Sequence, residues 1–389
     1  MNNRVYIRGK AVQCALGSDL DEITTAMHAG RTSVSEIPLS LIGLDYSRPY
    51  CRLPVQRSDT GQSGEAYFNA ILDATIARAI ADAALDPEEV RRLPIFFGST
   101  SIDIPIYEDD YRTRQHVLSQ TSSGYGNIAH EIGRRFDMRG PCYTFTTACT
   151  SSANGVLFAA GMIARGMLER ALVVGYDLYS NLGFYGFEAL KLIAPLPYRP
   201  FDRRRQGIIM GEGCGAVILD KHAPAPDAFA CLGGANGCDT YSVTTHDPEG
   251  GLIARVMGDA LAHAGVSPRQ IDAVKAHATG SYHNDLTECN GLRQVFQADM
   301  PPVTGLKPFV GHTVGACGVI ELVLLTEAVR AGFVPPMPGF EELDPELGVA
   351  PLTQPLAINA GTFLLNYFGF GGNCVSLVIT NRRQQVSAR

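Results

Sequence analysis

The chain lacks features that mark several large classes of protein. It has no tryptophan, and its ten cysteines include no CxxC pair and no Cys/His cluster at metal-ligand spacing, which argues against a disulfide framework and a zinc site. No apolar run approaches the roughly 18 residues of a membrane span. The sequence MNNRVYIRGKAV at the start lacks the apolar core of a secretory signal. We therefore expect a cytoplasmic protein with reduced cysteines and no bound metal.

An excess of positive charge is also lacking. The 389 residues carry 32 Lys and Arg against 39 Asp and Glu, so the net charge is −7. A general nucleic-acid binder shows a basic balance, and this chain does not. Hydrophobic residues make up 46% of the chain and charged residues 18%, a composition that excludes intrinsic disorder and supports a large buried core.

Predicted strands and helices alternate along the chain. Apolar residues at helical spacing predict helices over residues 21–29 and 65–84, and a short apolar run predicts a buried strand over 94–98. This alternation favours an α/β protein with a mostly parallel sheet covered by helices.

Two parts of the chain resemble each other. Residues 143–177 and 303–336 each have a strand-like segment, a turn of small residues and a helix, and residues 210–220 and 368–380 each have a Gly-rich turn that leads into a strand. We interpret the two pairs as a duplication. The N-terminal half is then residues 1–226 and the C-terminal half residues 227–389, with a Pro- and Ala-rich connection near the boundary.

Cys149 is the candidate nucleophile. It lies in TTACTSSANG, between a predicted strand and a helix of small residues. A thiol in the first turn of a helix meets unpaired N–H groups and the positive end of the helix dipole. We expect these to lower its pKa from about 8.5 and to stabilise an oxyanion formed beside it. The alternative is a buried structural cysteine.

Two histidines are candidates for the same site. His277 follows a largely apolar run, residues 271–276, which puts it at the tip of a strand, where α/β proteins build sites. His312 lies in a glycine-framed turn with Lys307 before it and Glu321 after it, a set that can form a charge-assisted network. Judged singly, each is equally explained as an ordinary loop histidine.

The segment FGFGGN, residues 368–373, is a Gly-rich turn between apolar runs. Such a turn lets the backbone approach a ligand, and it holds Phe370 as a wall or gate. No helical pattern follows, so this turn is a weak candidate for phosphate or dinucleotide binding.

Taken together and in chain order, these motifs resemble the β-ketoacyl-ACP synthases, the condensing enzymes of the thiolase superfamily. The resemblance runs from VYIRGKAV to CVSLVIT and is carried by TACTSS, RPFDRRRQGIIMGEGCGAVIL, AHATGSYHND, KPFVGHTVGACG and FGFGGN. It implies a thiolase-like fold, in which two similar halves form a five-layered α-β-α-β-α core with the active site between them.

The resemblance also implies a reaction. Cys149 would take an acyl chain from acyl carrier protein (ACP). His277 and His312 would then hydrogen-bond malonyl-ACP as it loses CO2, and the enolate would attack the acyl-Cys to give 3-oxoacyl-ACP. Lys307 with Glu321 would hold the second His region in place. No cofactor is implied beyond the phosphopantetheine that ACP carries.

Further residues receive supporting roles by the same resemblance. The N–H groups of Cys149 and Phe370 would form the oxyanion hole. Asp285 and Glu288 belong to the motif of the first His. The hydroxyl groups that would hold phosphopantetheine belong to Thr279, Ser281 and Thr244.

Several positions depart from the family pattern. Ala278 and Ser152 replace common glycines, and NYFGFGGNC differs from the usual SFGFGGTN. These departures leave the acyl chain and the pathway open among fatty-acid, polyketide and polyene synthesis. A Cys–His thioester hydrolase is the rival activity, but two His in duplicated halves fit condensation better.

The resemblance predicts two kinds of partner. The family is dimeric, so we expect a homodimer or a heterodimer with a homologous subunit that resembles a chain-length factor. ACP is acidic and requires a local basic patch. The candidate arginines are Arg134, Arg135, Arg139, Arg199, Arg203, Arg204 and Arg205.

Overall fold

The computed structural model describes residues 4–41, 44–114 and 126–383. Its strands are β1 Val5–Gln13, β2 Ser35–Leu41, β3 Leu44–Cys51, β4 Ile95–Gly98, β5 Cys142–Phe145, β6 Arg170–Asp177, β7 Met210–Gly211, β8 Gly213–Asp220, β9 Ala230–Cys238, β10 Ala273–Lys275, β11 Val303–Thr304, β12 Phe333–Val334, β13 Leu356–Ala357, β14 Thr362–Phe368 and β15 Asn373–Thr380.

The main sheet has ten strands in the order β11-β10-β14-β15-β9-β1-β8-β6-β4-β5. Each half of the chain supplies five of them. When only these five strands are numbered in chain order, both halves follow the order first, fifth, fourth, second and third strand outward from the centre. The halves meet where Val5 and Tyr6 of β1 pair with Cys231 and Ala230 of β9.

The sheet is mixed, so the prediction of a mostly parallel sheet is wrong. β10 is parallel to β11 and β14, and β4 is parallel to β5 and β6. The other neighbours are antiparallel. Parallel neighbours need a long crossover, whereas a short turn returns the chain antiparallel. The turn after β14 is of the short kind, and β15 therefore runs back beside β14.

The helices are α1 Leu20–His28, α2 Arg57–Thr60, α3 Gly64–Asp82, α4 Pro87–Arg91, α5 Ile104–Arg114, α6 Asn127–Arg135, α7 Ser151–Ala164, α8 Asn181–Ala189, α9 Gly251–Ala264, α10 Tyr282–Phe296, α11 Lys307–Val310 and α12 Cys317–Arg330. The helices predicted over 21–29 and 65–84 correspond to α1 and α3. Asp19 and Ser63 cap their first turns by accepting backbone N–H groups.

The two halves of the sheet form two layers and the helices form three, so the fold has five layers, as the resemblance implied. α7 and α12 lie in the middle, where their apolar residues share one cluster with strands of both halves. α3 packs on the outer face of the N-terminal strands and α9 on that of the C-terminal strands. In the described part of the chain, no helix combines the length and the apolar character needed to cross a membrane.

Candidate active site

A sharp turn at the start of α7 carries Cys149. β5 is followed by a 3-10 turn, Ala148–Thr150, and then directly by α7. Ala148 has a positive φ of 50°, a strained conformation for a residue with a Cβ that often marks functional turns. The turn leaves Cys149 at the helix start, only 5% exposed. The backbone N–H groups of Phe370 and of Cys149 itself lie beside the sulfur and act to lower its pKa.

Burial dominates the acidity of this thiol. Loss of contact with water raises the pKa of Cys149 to about 12, although the charge of Lys307 and the two N–H groups oppose this. The prediction of a lowered pKa is therefore wrong, because the same turn that supplies the N–H groups also removes the sulfur from water. Cys149 is therefore a thiol at rest, and it would need an acceptor for its proton to act as a nucleophile.

His312 is the neighbour of that thiol. Its Nε2 lies 3.0 Å from the Sγ of Cys149. The backbone fixes the residue on both sides: its N–H donates to the carbonyl of Ile209 (2.8 Å), and its carbonyl accepts from the N–H of Gly211 (3.0 Å). Burial and the charges of two lysines hold the pKa of His312 well below its ordinary value, so the imidazole is neutral and can accept a proton.

His277 lies opposite His312. The two rings are perpendicular, with their centroids 5.3 Å apart. The N–H groups of His277 and Ala278 donate to the two carboxylate oxygens of Glu288, at 2.7 and 2.9 Å. Burial lowers the pKa of His277 far below its usual range, and the charge of Lys307 adds to this effect. Both imidazoles are therefore neutral hydrogen-bonding groups.

Lys307 holds the first histidine, not the second. Its Nζ lies 3.1 Å from Nδ1 of His277, and it donates to the His277 carbonyl (2.6 Å) and to Glu321 (2.8 Å). The expectation that Lys307 and Glu321 hold the region of His312 is corrected by these contacts. The reason is sheet order: β11 is the parallel neighbour of β10, so the residues that follow the two strands lie side by side.

A cavity of about 240 Å³ collects most of the predicted site residues. Asp285, Glu288, Lys307 and Glu321 lie outside its lining and are completely buried. Asp285 accepts from the N–H groups of Phe201 and Gly280, which fixes the start of α10. Burial raises the pKa of Asp285 to about 6 and that of Glu288 to about 7. The predicted residues that do line the cavity are Cys149, Thr244, His277, Thr279, Ser281, His312 and Phe370.

Two residues near this cavity were missed by the sequence analysis. His246 lines it and is 7% exposed. Lys275 is completely buried, and its Nζ contacts Glu321. A signal for Lys275 was present, because it is the one cation in the apolar run before His277 and lies two residues away, on the same face of a strand. No such signal distinguishes His246.

The arginines proposed to dock ACP are all engaged with carboxylates. The pairs are Arg134 with Glu131, Arg135 with Asp73, Arg139 with Asp137, Arg199 with Glu341, Arg203 with Glu342, Arg204 with Glu341 and Arg205 with Asp344. The side chain of Arg205 is only 1% exposed. Arg205 is therefore a buried ion-pair partner rather than part of a docking surface.

A buried thiol at a helix start, two neutral imidazoles and a shared cavity on this fold are the features of a condensing enzyme. The family models "Beta-ketoacyl synthase, N-terminal domain" and "Beta-ketoacyl synthase, C-terminal domain" match residues 2–225 and 229–341. The chain therefore belongs to the β-ketoacyl synthase family, as the motifs predicted, and is an acyltransferase of the condensing type.

Individual proteins agree with this assignment. The chain is 34% identical to the chloroplastic 3-oxoacyl-[acyl-carrier-protein] synthase II of Arabidopsis thaliana, over 96% of this chain and 75% of the relative. It is 29% identical to 3-oxoacyl-[acyl-carrier-protein] synthase 2 of Coxiella burnetii, over 97% and 98%. Among solved structures, the ishigamide ketosynthase/chain length factor superposes with a TM-score of 0.83 at 26% identity, over 98% of this chain and 99% of that one.

Proposed function

We propose that the chain extends an acyl group held on Cys149 with a two-carbon unit from malonyl-ACP. The observation that carries this proposal is the contact of 3.0 Å between Cys149 Sγ and His312 Nε2, with the second imidazole beside it. In the loading step, the thiol proton passes to His312 as sulfur attacks the acyl thioester. The bond between the acyl carbon and the carrier sulfur then breaks, and His312 passes the same proton to the leaving carrier thiol.

The second half-reaction uses both imidazoles. The bond between the malonyl carboxylate and its neighbouring carbon breaks, CO2 leaves, and the electron pair moves onto the thioester oxygen. N–H groups of His277 and His312 stabilise that oxygen, each worth about 3 kcal/mol in the transition state. The enolate carbon attacks the acyl carbon held on Cys149, the bond from that carbon to Sγ breaks, and the released thiolate takes up a proton from water. The N–H groups of Cys149 and Phe370, which lie beside the sulfur, stabilise the negative charge on the acyl oxygen.

The residues that line the cavity support a place for the carrier's phosphopantetheine arm, and the names of the relatives support the carrier protein. Thr244, Thr279 and Ser281 supply hydroxyls for phosphopantetheine along the cavity, and no other cofactor is needed. ACP is the carrier in the names of both relatives. We assign the halves to residues 1–226 and 227–389, because β8 ends at Asp220 and β9 begins at Ala230. We place the enzyme in the cytoplasm.

A second form of the proposal is activity only with a partner subunit. The ishigamide structure pairs a ketosynthase with a chain length factor, and this chain carries the complete set of Cys149, His277 and His312. In a heterodimer, it would be the active subunit. Fatty-acid and polyketide elongation use the same steps at this site.

The test is intact mass after mixing the protein with a panel of acyl-ACPs, followed by malonyl-ACP. We expect a mass gain that is absent from Cys149→Ala, and its discharge into 3-oxoacyl-ACP with release of CO2. Release of free acid alone would favour a hydrolase. Loading of Cys149→Ala would overturn the nucleophile assignment. Loading that requires a co-expressed homologous subunit would support the heterodimer.

A further inference from the structure

A second lysine lies in the protein interior behind His277. Lys275 is the last residue of β10 and is 0% exposed. His277 follows two residues later, just past the end of this strand. Its Nζ donates to Glu321 Oε2 (2.5 Å) and to the carbonyl of Asn366 (2.6 Å). The proposed reaction described above does not use this residue.

Lys275 and Lys307 share one carboxylate. Glu321 directs Oε1 to Lys307 and Oε2 to Lys275, and all three side chains are fully buried. The two oxygens of the nearby Glu288 carboxylate accept hydrogen bonds from the backbone N–H groups of His277 and Ala278. Burial raises the pKa of Glu288 to about 7, so at neutral pH it cancels only part of a charge. Burial lowers the pKa of Lys275, and the charge of Glu321 opposes this. With both lysines protonated, the group of Lys275, Glu321 and Lys307, termed the lysine pair below, carries one net positive charge.

Burying a charge that no opposite charge balances costs free energy of folding. The place of this charge relative to the site therefore needs an explanation. The lysine pair contacts His277 directly, through Lys307. His277 and His312 flank the place where the thioester oxygen becomes negative during decarboxylation. Fixed charges near a developing charge are the most effective form of electrostatic stabilisation, because they need no reorganisation during the reaction.

The surroundings also hold the ammonium of Lys275 in place. Its Nζ lies 3.6 Å from the ring centroid of Tyr367, a cation–π contact that replaces part of the lost hydration. The hydroxyl of Tyr367 donates to the carbonyl of Gly318, at the start of α12. Tyr367 belongs to the segment NYFGFGGNC, in which this chain departs from the family pattern. The departure thus supplies a contact for the second lysine.

We propose that Lys275 is a positioning residue for decarboxylation: by sharing Glu321 with Lys307, it gives the lysine pair a net positive charge that stabilises the enolate formed between His277 and His312. This inference rests on the proposed condensation. Lys275 does not touch substrate and acts through Glu321 and Lys307. In the loading step, no enolate forms, so loading depends little on Lys275.

The charge also bears on the pH range of the reaction. The positive charge of Lys275 contributes to lowering the pKa of both imidazoles. Without it, they protonate at higher pH, and the acid limb of decarboxylation moves upward toward about 6.5, the ordinary value. The other titratable or charged groups that face the two imidazoles are Lys307 on α11, Cys149 before α7, His246 after β9, Glu288 on α10, and Glu321 and Cys317 on α12.

The experiment replaces Lys275 by methionine, which keeps the length and removes the charge. For Lys275→Met, we expect acyl loading within about twofold of wild type, decarboxylation of malonyl-ACP about tenfold slower at pH 7, and an acid limb at higher pH. The matched control is Lys10→Met. Lys10 also pairs with a buried carboxylate, Glu327 at 2.7 Å, but on β1, and its loss leaves decarboxylation at the wild-type rate.

A double variant separates charge from packing. Lys275→Met with Glu321→Gln again leaves one net positive charge, on Lys307, so decarboxylation recovers relative to Lys275→Met. A purely structural role predicts no recovery, and that result would overturn the proposal. So would an unchanged rate and pH profile in Lys275→Met. If Lys275→Met does not fold, Lys275→Gln removes the same charge, keeps a donor for Asn366, and is expected to show the same slowing. A wild-type protein that neither loads nor decarboxylates would instead contradict the proposed function.

Discussion

The two central helices, α7 and α12, begin with the same backbone turn, but the two turns carry different residues at the equivalent position. The first elbow is residues 147–151 and the second is residues 313–317. Ala148 and Val314 have positive φ angles of 50° and 45°, and each begins a 3-10 turn. The same hydrogen bond closes both turns, from the fourth residue's N–H to the first residue's carbonyl. At the residue after the positive φ, the first elbow carries Cys149 and the second carries Gly315.

Gly315 is enclosed by neighbouring residues, whereas Cys149, at the equivalent position, borders the cavity. Its N–H donates to Asp177 at 2.7 Å, and its carbonyl accepts from the hydroxyl of Ser152 at 2.6 Å. A Cβ there would lie 2.8 Å from the backbone nitrogen of Thr100, so a side chain does not fit. The second elbow therefore serves as a support: it fixes α12 against α7 and directs the preceding His312 onto the thiol. One backbone motif thus presents the candidate nucleophile in one half and the frame in the other.

The largest effect separates the two histidines. His312 contacts the sulfur, so His312→Ala should slow both acyl loading and decarboxylation. His277 contacts Lys307 and faces the imidazole of His312, so His277→Ala should spare loading and slow decarboxylation by about 10²–10³-fold, the cost of one lost donor to an oxyanion. Single-turnover loading and CO2 release measure the two steps. Equal loss of loading in both variants would contradict the separate roles.

The next largest effect concerns the pKa of Cys149 in the first elbow. With the pKa of Cys149 raised to about 12, the thiolate fraction is small at neutral pH and grows about tenfold per pH unit. Alkylation of Cys149 by iodoacetamide should therefore accelerate between pH 7 and 9 without levelling. Cys317 of the second elbow is fully buried and should stay unmodified. A plateau below pH 8 would show that the helix start outweighs burial, as the sequence had suggested.

The sequence predicted which residues form the site better than it predicted their contacts and their burial. Cys149, His277, His312 and Phe370 lie in recognisable local motifs, and all four line one cavity. The partner of Lys307 depends on which strand lies beside β11, and the acidity of Cys149 depends on how deeply the turn is buried. Neither property is encoded within a window of a few residues. The position of Lys275 was readable from strand alternation, but its sharing of Glu321 with Lys307 required the packing of α12.

The smallest effect tests the hydrogen bond between Ser152 of α7 and the second elbow. The hydroxyl of Ser152 donates to the carbonyl of Gly315 and accepts from the N–H of Val319 at 3.2 Å, so a serine in place of the family's usual glycine joins the two central helices. Ser152→Ala removes both bonds and should lower the free energy of unfolding by about 1–2 kcal/mol, with slower loading because His312 is less firmly held. The control is Thr326→Ala, which removes a buried hydroxyl that bonds only within α12 and should leave loading unchanged. Chemical denaturation and single-turnover loading measure the two properties, and equal loading in both variants would show that α7 and α12 keep their alignment without this hydroxyl.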